Sequence, residues 1–250
     1  MPLRLLRQLL DIAAPRLCSA CGRRLNDGEE VFCATCMIRL PRTDFLAHPY
    51  DNEMAQTFWG RVSHFEKAYA FVYHQPHSES ARAVYQIKYF GMADTGIDIG
   101  EIMGRQMKAA GFTDDIDIIL PVPLTKERKR QRGFNQSEMI AQGISDATGI
   151  KVAKDIVKRV SFHGSQTRRD RQDRADNVEN AFCLASGKRV TGKHVLIVDD
   201  IVTTGATIVA MAQQITLLPG VKVSVAAIGF AGERIYENSG REEDEDNIFS

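Results

Sequence analysis

Runs of apolar residues, and the points where they break, divide this chain into alternating strands and helices. Val195-Leu196-Ile197-Val198 is a block of aliphatic residues with no polar position between them, the pattern of a central strand buried on both faces. It stops at Asp199-Asp200. Past Thr203-Thr204-Gly205-Ala206-Thr207 the period changes, and Ile208, Met211, Ala212 and Ile215 fall at helical spacing. Dense β-formers predict further strands at 67–74, 117–120, 155–160, 181–185 and 221–229, the last with Val223, Val225 and Ala227 alternating with Ser224 and Ala226. Helices are predicted over 3–13 (Leu3, Leu6, Leu9, Leu10, Ala13, ended by Pro15), from Ser78 or Ser80 to Gly91, and from 95 to 110, stopped by Gly111. Another opens at the capping residue Asn135, carries Ile140, Ile144 and Ala147 on its apolar side, and ends at Gly149. Strands that alternate with helices predict an α/β domain built on a parallel sheet.

Three stretches fall outside that rhythm. Residues 37–66 show scattered aromatics and no period, so 41–64 reads as a linker into a main domain spanning 65–236. Residues 161–178 hold almost no aliphatics and many charges, which predicts a long mobile loop of the functional kind. Residues 237–250 carry six acids and one arginine, the composition of a disordered tail.

The chain has 250 residues, 44% of them apolar, enough to bury a sizeable core in one α/β domain with a small appendage. No apolar run reaches the roughly 20 residues of a spanning helix, and the start lacks the apolar core and cleavage site of a secretory signal. A cytoplasmic protein with no membrane insertion is expected. The amphipathic helix at 3–13 is short and carries only Arg4 and Arg7, so a docked position on the protein fits it better than a membrane surface. Formal net charge is zero, yet without the acidic tail the rest is positive, with clusters at Lys126–Arg132 and Arg168–Arg174. Either could meet phosphates or nucleic acid, but composition alone favours a solvated loop face.

Cys18-Ser19-Ala20-Cys21 and Cys33-Ala34-Thr35-Cys36 are two Cys-x-x-Cys knuckles separated by eleven residues. Four thiolates from two tight turns suit tetrahedral Zn²⁺, and a full four-sulfur shell implies a structural ion. Residues 1–40 are therefore expected to form the lead-in helix and a Cys18/Cys21/Cys33/Cys36 zinc module. The fifth cysteine, Cys183, lies in a strand-like run and reads as a buried, inert thiol.

The chemistry concentrates after the central strand. In Thr203-Thr204-Gly205-Ala206-Thr207, small hydroxyls, a glycine and a helix N-terminus bring N–H donors together where a phosphate could sit. Asp199 and Asp200 are adjacent on a strand and point to opposite sides, so one metal ion suits them less well than an extended diol donating to both. The joint reading is a sugar phosphate. A plain turn before a capped helix would need neither two adjacent acids nor three threonines. After the strand at 117–120, Pro121-Val122-Pro123-Leu124 leaves N–H groups only at Val122, Leu124 and Thr125 in a stiff loop, and either Xaa-Pro bond is a candidate for the cis form.

The stretch from Val195 to Thr207 resembles the PRPP-binding signature of the type I phosphoribosyltransferases, and every position of the signature matches. The four-cysteine module, Ile87-Lys88-Tyr89 with Gly91, Pro121-Val122-Pro123-Leu124 and Arg132-Gly133-Phe134-Asn135-Gln136 extend the likeness. With Gln166, Arg174, Asn177 and Ala181-Phe182, the ordered set is similar to the ComF family of competence-related proteins from Cys18 to Phe230. The resemblance implies a type I phosphoribosyltransferase-like parallel sheet flanked by helices, with a small N-terminal zinc-binding module. It implies that Asp199 and Asp200 bind the ribose hydroxyls and act in catalysis, and that Thr203, Thr204, Gly205, Ala206 and Thr207 bind the 5′-phosphate. Pyrophosphate with Mg²⁺ would lie near Val122, Leu124 and Thr125, with Arg128, Lys129, Arg130 and Arg132 as phosphate partners, and the 161–178 loop would close over the reaction. The likeness also implies a role near incoming DNA.

Two functions follow. One is transfer of phosphoribosyl from PRPP to a nitrogen acceptor, although no residue stands out as its general base; His163 falls in the predicted loop. The other is binding without turnover, of PRPP or a nucleotide as a signal, or of single-stranded DNA or a competence helicase through the basic surfaces and the zinc module. The aromatics do not interleave with the basic clusters, which speaks against a stacking platform for single strands.

Overall fold

In a computed structural model of the chain, residues 16–74, 93–160 and 181–232 are described. The expected helices at 3–13 and 78–91, the loop at 161–178 and the acidic tail lie outside them. Four strands form one wholly parallel sheet: β1 (Phe65–Tyr73), β2 (Ile118–Pro121), β5 (His194–Val202) and β6 (Lys222–Phe230), in the order β1-β6-β5-β2. Strands β3 (Val157–Arg159) and β4 (Phe182–Leu184) make a separate antiparallel pair. The helices are α1 (Ala34–Arg39), α2 (Glu53–Gln56), α3 (Ala93–Ala109), α4 (Lys126–Arg132), α5 (Gln136–Thr148) and α6 (Ala206–Thr216).

The aliphatic block does occupy the interior. Residues 194–198 of β5 are all buried, and because successive side chains alternate faces, both faces of the strand are covered. The alternation expected for the last strand does not translate into one wet face. β6 is interior too, and residues 223–230 are buried throughout, with Ser224 fully so. Helix α5 packs on β2 and β5 and against α3, while α6 meets β5, β6 and the β3–β4 pair. The α3–α5 contact is close because it is built on glycine: a Cβ on Gly143 would lie 1.9 Å from the Ile97 carbonyl oxygen, and one on Gly100 2.3 Å from that of Ile140.

Residues 41–64, expected to be a linker, pack into the domain. Phe45, Met54, Ala55 and Phe58 are buried in the same core as the sheet. The physical reason is that β1 is an edge strand whose outer N–H and C=O groups need partners. Tyr73 N–H donates to Pro41 O at 2.7 Å and Ala68 N–H to Pro49 O at 2.9 Å. Asn52 caps α2 and donates through Nδ2 to Ala68 O. The lack of period is what a covering segment of short turns produces.

At the N-terminal end of the sheet, polar side chains are buried and paired. The Lys67 ammonium, on a side chain only 3% exposed, meets the Asp115 carboxylate and lies 5.0 Å from the centre of the Phe112 ring. His194 places Nδ1 3.1 Å from Asp115 Oδ2 and Nε2 2.7 Å from Ser224 Oγ. In the neutral tautomer that satisfies both contacts, Nδ1–H donates to the carboxylate and Nε2 accepts from the serine.

Candidate functional site

The C-terminal end of β5 is built differently. The strand does not stop at the acids but runs on to Val202, because β6 continues beside it and pairs Asp199 with Ala227 and Ile201 with Gly229. Asp199 and Asp200 are both half-buried. Asp199 Oδ1 accepts from Ser137 Oγ of α5 and from the Asp200 N–H, each at 2.9 Å. Asp200 Oδ1 accepts from the Ile201 N–H at 2.7 Å. As adjacent strand residues the acids project to opposite faces. Asp199 and Ile201 line a cleft of about 60 Å³ with residues 202–208, whereas Asp200 is not in its lining.

The threonine loop closes this cleft, with Thr203 and Thr204 exposed and Gly205 buried. Gly205 adopts φ +69°, and a Cβ there would sit 2.8 Å from the Phe58 ring and 3.0 Å from Thr57 Cγ2, so any side chain at this position is both strained and crowded. Helix α6 begins at Ala206 without a side-chain cap on Gly205. Thr204 Oγ1 accepts weakly from the Ala206 N–H, and among the described residues the Thr207 and Ile208 amides have no acceptor. Unsatisfied amides at a helix start, beside exposed hydroxyls, are groups of the kind that can receive an anion.

The prolyl loop is placed differently from expectation in one respect. Val122 is buried, its N–H donates to Val198 O at 2.9 Å and its carbonyl accepts from Asn135 Nδ2 at 3.0 Å. Val122 therefore extends the β2–β5 pairing and has no N–H to offer a ligand; of the residues named there, Leu124 and Thr125 lie beyond it. Thr125 caps α4, and both Xaa-Pro bonds are trans. The basic run is helical, with Arg128 and Arg130 exposed, Lys129 paired to Glu138, and Arg132 Nη1 donating to Gln136 Oε1 at 3.1 Å.

Three further residues belong to this end of the sheet and carried no local signal. Ser137 is buried and orients Asp199, yet in sequence it is merely the second residue of a helix. Arg159, at the end of β3, is half-buried and lies over the Phe182 ring at 5.3 Å. Burial lowers the pKa of its guanidinium, the Arg128 charge lowers it further and Asp199 opposes both, which brings Arg159, Arg128 and Asp199 into one electrostatic neighbourhood. Among the described residues no acceptor hydrogen-bonds Arg159. Arg61 donates from Nη1 to Thr57 O at 3.0 Å and to Thr204 O at 2.8 Å. Only a basic residue just before a long polar stretch could have flagged Arg159; nothing in the sequence flags the other two.

The four knuckle cysteines converge, with all four Sγ atoms within 4.8 Å of one another. Cys21 and Cys33 are 3.8 Å apart, which matches the edge of a tetrahedron with metal–sulfur bonds of about 2.3 Å. Backbone N–H groups of Cys33 and Cys36 point at the sulfurs of Cys18 and Cys33, and the Cys36 amide helps hold the Cys33 thiol down to about 6. Burial first, then the neighbouring thiols, push Cys36 well above the ordinary thiol range. Four thiols so crowded ionise together only around a cation, so the donor set fits a metal ion such as zinc. Glu29 ties the knuckles to each other by accepting from Asn26 N–H and Ala34 N–H, both at 2.7 Å. Cys183 lacks the burial of Cys18, Cys33 and Cys36. It is exposed, since the β3–β4 pair leaves one face to solvent.

The phosphoribosyl transferase domain family matches residues 102–246, more than half of the chain, and the chain belongs to that family. Competence protein F of Haemophilus influenzae is 39% identical over 93 residues, 37% of this chain and 41% of that protein. The DNA utilization protein YhgH of Escherichia coli K12 is 31% identical over 133 residues, 52% of this chain and 58% of that protein. Competence protein ComFC of Bacillus subtilis is 28% identical over 102 residues, 39% of this chain and 37% of that protein. The matches thus cover between 37% and 58% of these relatives' own lengths. With them, the chain is a ComF-family, phosphoribosyltransferase-like protein. Solved structures with a similar fold include the allosteric regulatory enzyme of purine biosynthesis (22% identity, TM-score 0.37, 57% of this chain and 30% of that one). An adenine phosphoribosyltransferase is also similar (13% identity, TM-score 0.34, 60% and 83%).

Proposed function

We propose that this protein binds PRPP, or a nucleotide carrying ribose 5-phosphate, at the C-terminal end of β5. The observation that carries the reading is the convergence of Asp199, itself positioned by Ser137, with the uncapped amides and hydroxyls of residues 203–207 on one cleft. The 5′-phosphate takes the loop amides, and the ribose hydroxyls donate to Asp199 and Asp200. The pyrophosphate arm extends toward Leu124, Thr125, Arg128, Arg132 and Arg159. Mg²⁺ bound with the diphosphate supplies charge neutralisation on the leaving group. In transfer, the C1–oxygen bond breaks, a bond to the acceptor nitrogen forms, and that nitrogen gives up its proton. Positive charge that develops on the ribose is favoured by the two carboxylates, and negative charge on pyrophosphate by the arginines. In parallel-sheet α/β proteins, ligands commonly bind outside the carboxyl ends of the strands, which supports this placement.

Zinc in the Cys18/Cys21/Cys33/Cys36 shell is structural in this reading, and metal analysis is expected to return one zinc per chain. By analogy with the competence and DNA utilization relatives, the protein acts in the handling of DNA during competence. No described helix is long and apolar enough to cross a membrane. The exposed basic face of α4 supports a second reading, contact with single-stranded DNA or a helicase partner.

The test is isothermal titration of PRPP with Mg²⁺ into the zinc-loaded protein and into an Asp199→Asn, Asp200→Asn double variant. Binding that disappears in the variant supports the reading. If the unaltered protein takes up no PRPP and no nucleotide, it fails, and salt-dependent DNA binding becomes the measurement of interest.

A further inference from the structure

We infer that Arg61 is a further determinant of the phosphate site, a cation supplied from outside the family-matched residues 102–246. The inference rests on the sugar-phosphate reading of the threonine loop. Of the residues that line the cleft, none is basic and Asp199 is acidic, so a phosphate dianion there meets neutral donors and one like charge. Such a site is short of positive charge. Arg61 is the basic residue joined to it directly: Nη1 donates to the Thr204 carbonyl at 2.8 Å across 143 positions of sequence.

That bond has two consequences. In a planar trans peptide the C=O and the following N–H point in opposite directions, so fixing the Thr204 oxygen toward Arg61 aims the Gly205 N–H away from it. Residues 57–61 secure the same peptide from a second side, because Thr57 and the Phe58 ring fill the space where a Gly205 Cβ would be, and Arg61 is itself held by the Thr57 carbonyl at 3.0 Å. The second consequence is electrostatic. Both hydrogen bonds of the Arg61 side chain use Nη1, the side chain is exposed, and among the described residues Nε and Nη2 have no acceptor. A guanidinium one peptide away from the loop amides therefore adds positive potential where the phosphate binds, and its contribution is screened by salt. Arg61 is a positioning residue for the loop and a charge for its ligand.

The experiment compares the full-length, zinc-loaded protein with Arg61→Ala, Arg61→Gln and Arg61→Lys. PRPP with Mg²⁺ is titrated into each at about 50 mM and about 500 mM salt, where the screening length falls severalfold. Amide exchange of residues 203–207 is followed without ligand. Arg61→Ala and Arg61→Gln are expected to bind PRPP about fivefold more weakly at low salt, with the gap narrowing at high salt and Arg61→Lys recovering most of it. Faster exchange at the loop in Arg61→Ala is also expected. Equal affinity of Arg61→Ala and the unaltered protein at low salt would overturn the inference, and so would a deficit that salt does not change, since a steric brace alone has no salt dependence. Should the unaltered protein bind no PRPP, the proposed function fails first; unchanged loop exchange in Arg61→Ala would then overturn the positioning role separately.

Discussion

The two ends of β5 solve opposite problems with the same kinds of residue. At its start, His194 is buried and both ring nitrogens are engaged, by Asp115 and by Ser224, while Lys67 meets Asp115 across β1. Lys67, Asp115 and His194 each have a partner within the fold. At its end, Asp199 and Asp200 are half-buried, the helix start at Ala206 has no side-chain cap, and Arg159 and Arg61 keep donors without acceptors among the described residues. Polar groups satisfied within the protein stabilise it; arginine donors and helix-start amides without an acceptor in the fold are what a ligand could use.

That contrast can be broken most forcefully at the acids. Asp199→Asn is expected to weaken PRPP binding by roughly 30- to 100-fold, the loss of a charge-assisted hydrogen bond, while the thermal midpoint stays close to that of the unaltered protein. Calorimetric titration beside a melting curve checks both halves. The mirror experiment at the other end is Asp115→Asn. It leaves the buried Lys67 ammonium without its carboxylate and should cost about 1–3 kcal/mol in urea unfolding, less than the roughly 3–5 kcal/mol of a fully buried pair because Asp115 is itself more than half exposed. PRPP affinity should not move; a large change there would mean the two ends are coupled.

Arg159→Ala sharpens the comparison within the site. PRPP should bind about tenfold more weakly and ribose 5-phosphate unchanged, since only the former carries a pyrophosphate for the guanidinium to meet in the proposed pose. Equal losses for both ligands would place Arg159 at the 5′-phosphate instead. The smallest effect is one of pH. Burial holds the His194 imidazole below its ordinary pKa, with Asp115 opposing and Lys67 assisting, so the unfolded chain binds a proton that the folded one refuses. Stability should therefore begin to fall as pH drops below about 6.5. Burial pushes the Asp115 carboxyl up, but the Lys67 hydrogen bond and charge outweigh it and hold it below the usual carboxylate range. Its contribution is present above about pH 4 and is lost as pH falls further. In His194→Gln the first decline should vanish from the pH series of unfolding midpoints and the second remain.

Local patterns declared themselves in the sequence where one stretch carries its own cause. Val195–Val198 had to be interior because an unbroken aliphatic run has no face to show to water, and it is. Asn135 and Gly149 bound α5 as a cap and a left-handed glycine should, and the two knuckles brought their four sulfurs together. The threonine loop was legible for the same reason, since its glycine, hydroxyls and helix start are neighbours in the chain. Residues 41–64 were opaque because their order comes from the edge of β1, and Cys183 was misread because a short run of β-formers does not say whether a third layer covers it.

What the chain alone determined is the central strand, the helices from 95 and from 135, the four-cysteine cluster and the threonine loop's place at a helix start, all of which depend on separations of a few residues. The tertiary structure decided which of those groups are already spent. Val122 lost its N–H to Val198, and Ser137, 62 positions from Asp199, became its orienting donor. Arg61 reached Thr204 only because a covering segment wraps the sheet. Hydrogen bonds of this kind join residues that the sequence holds far apart, and whether a donor is available to a ligand depends on the partner the fold has or has not brought to it.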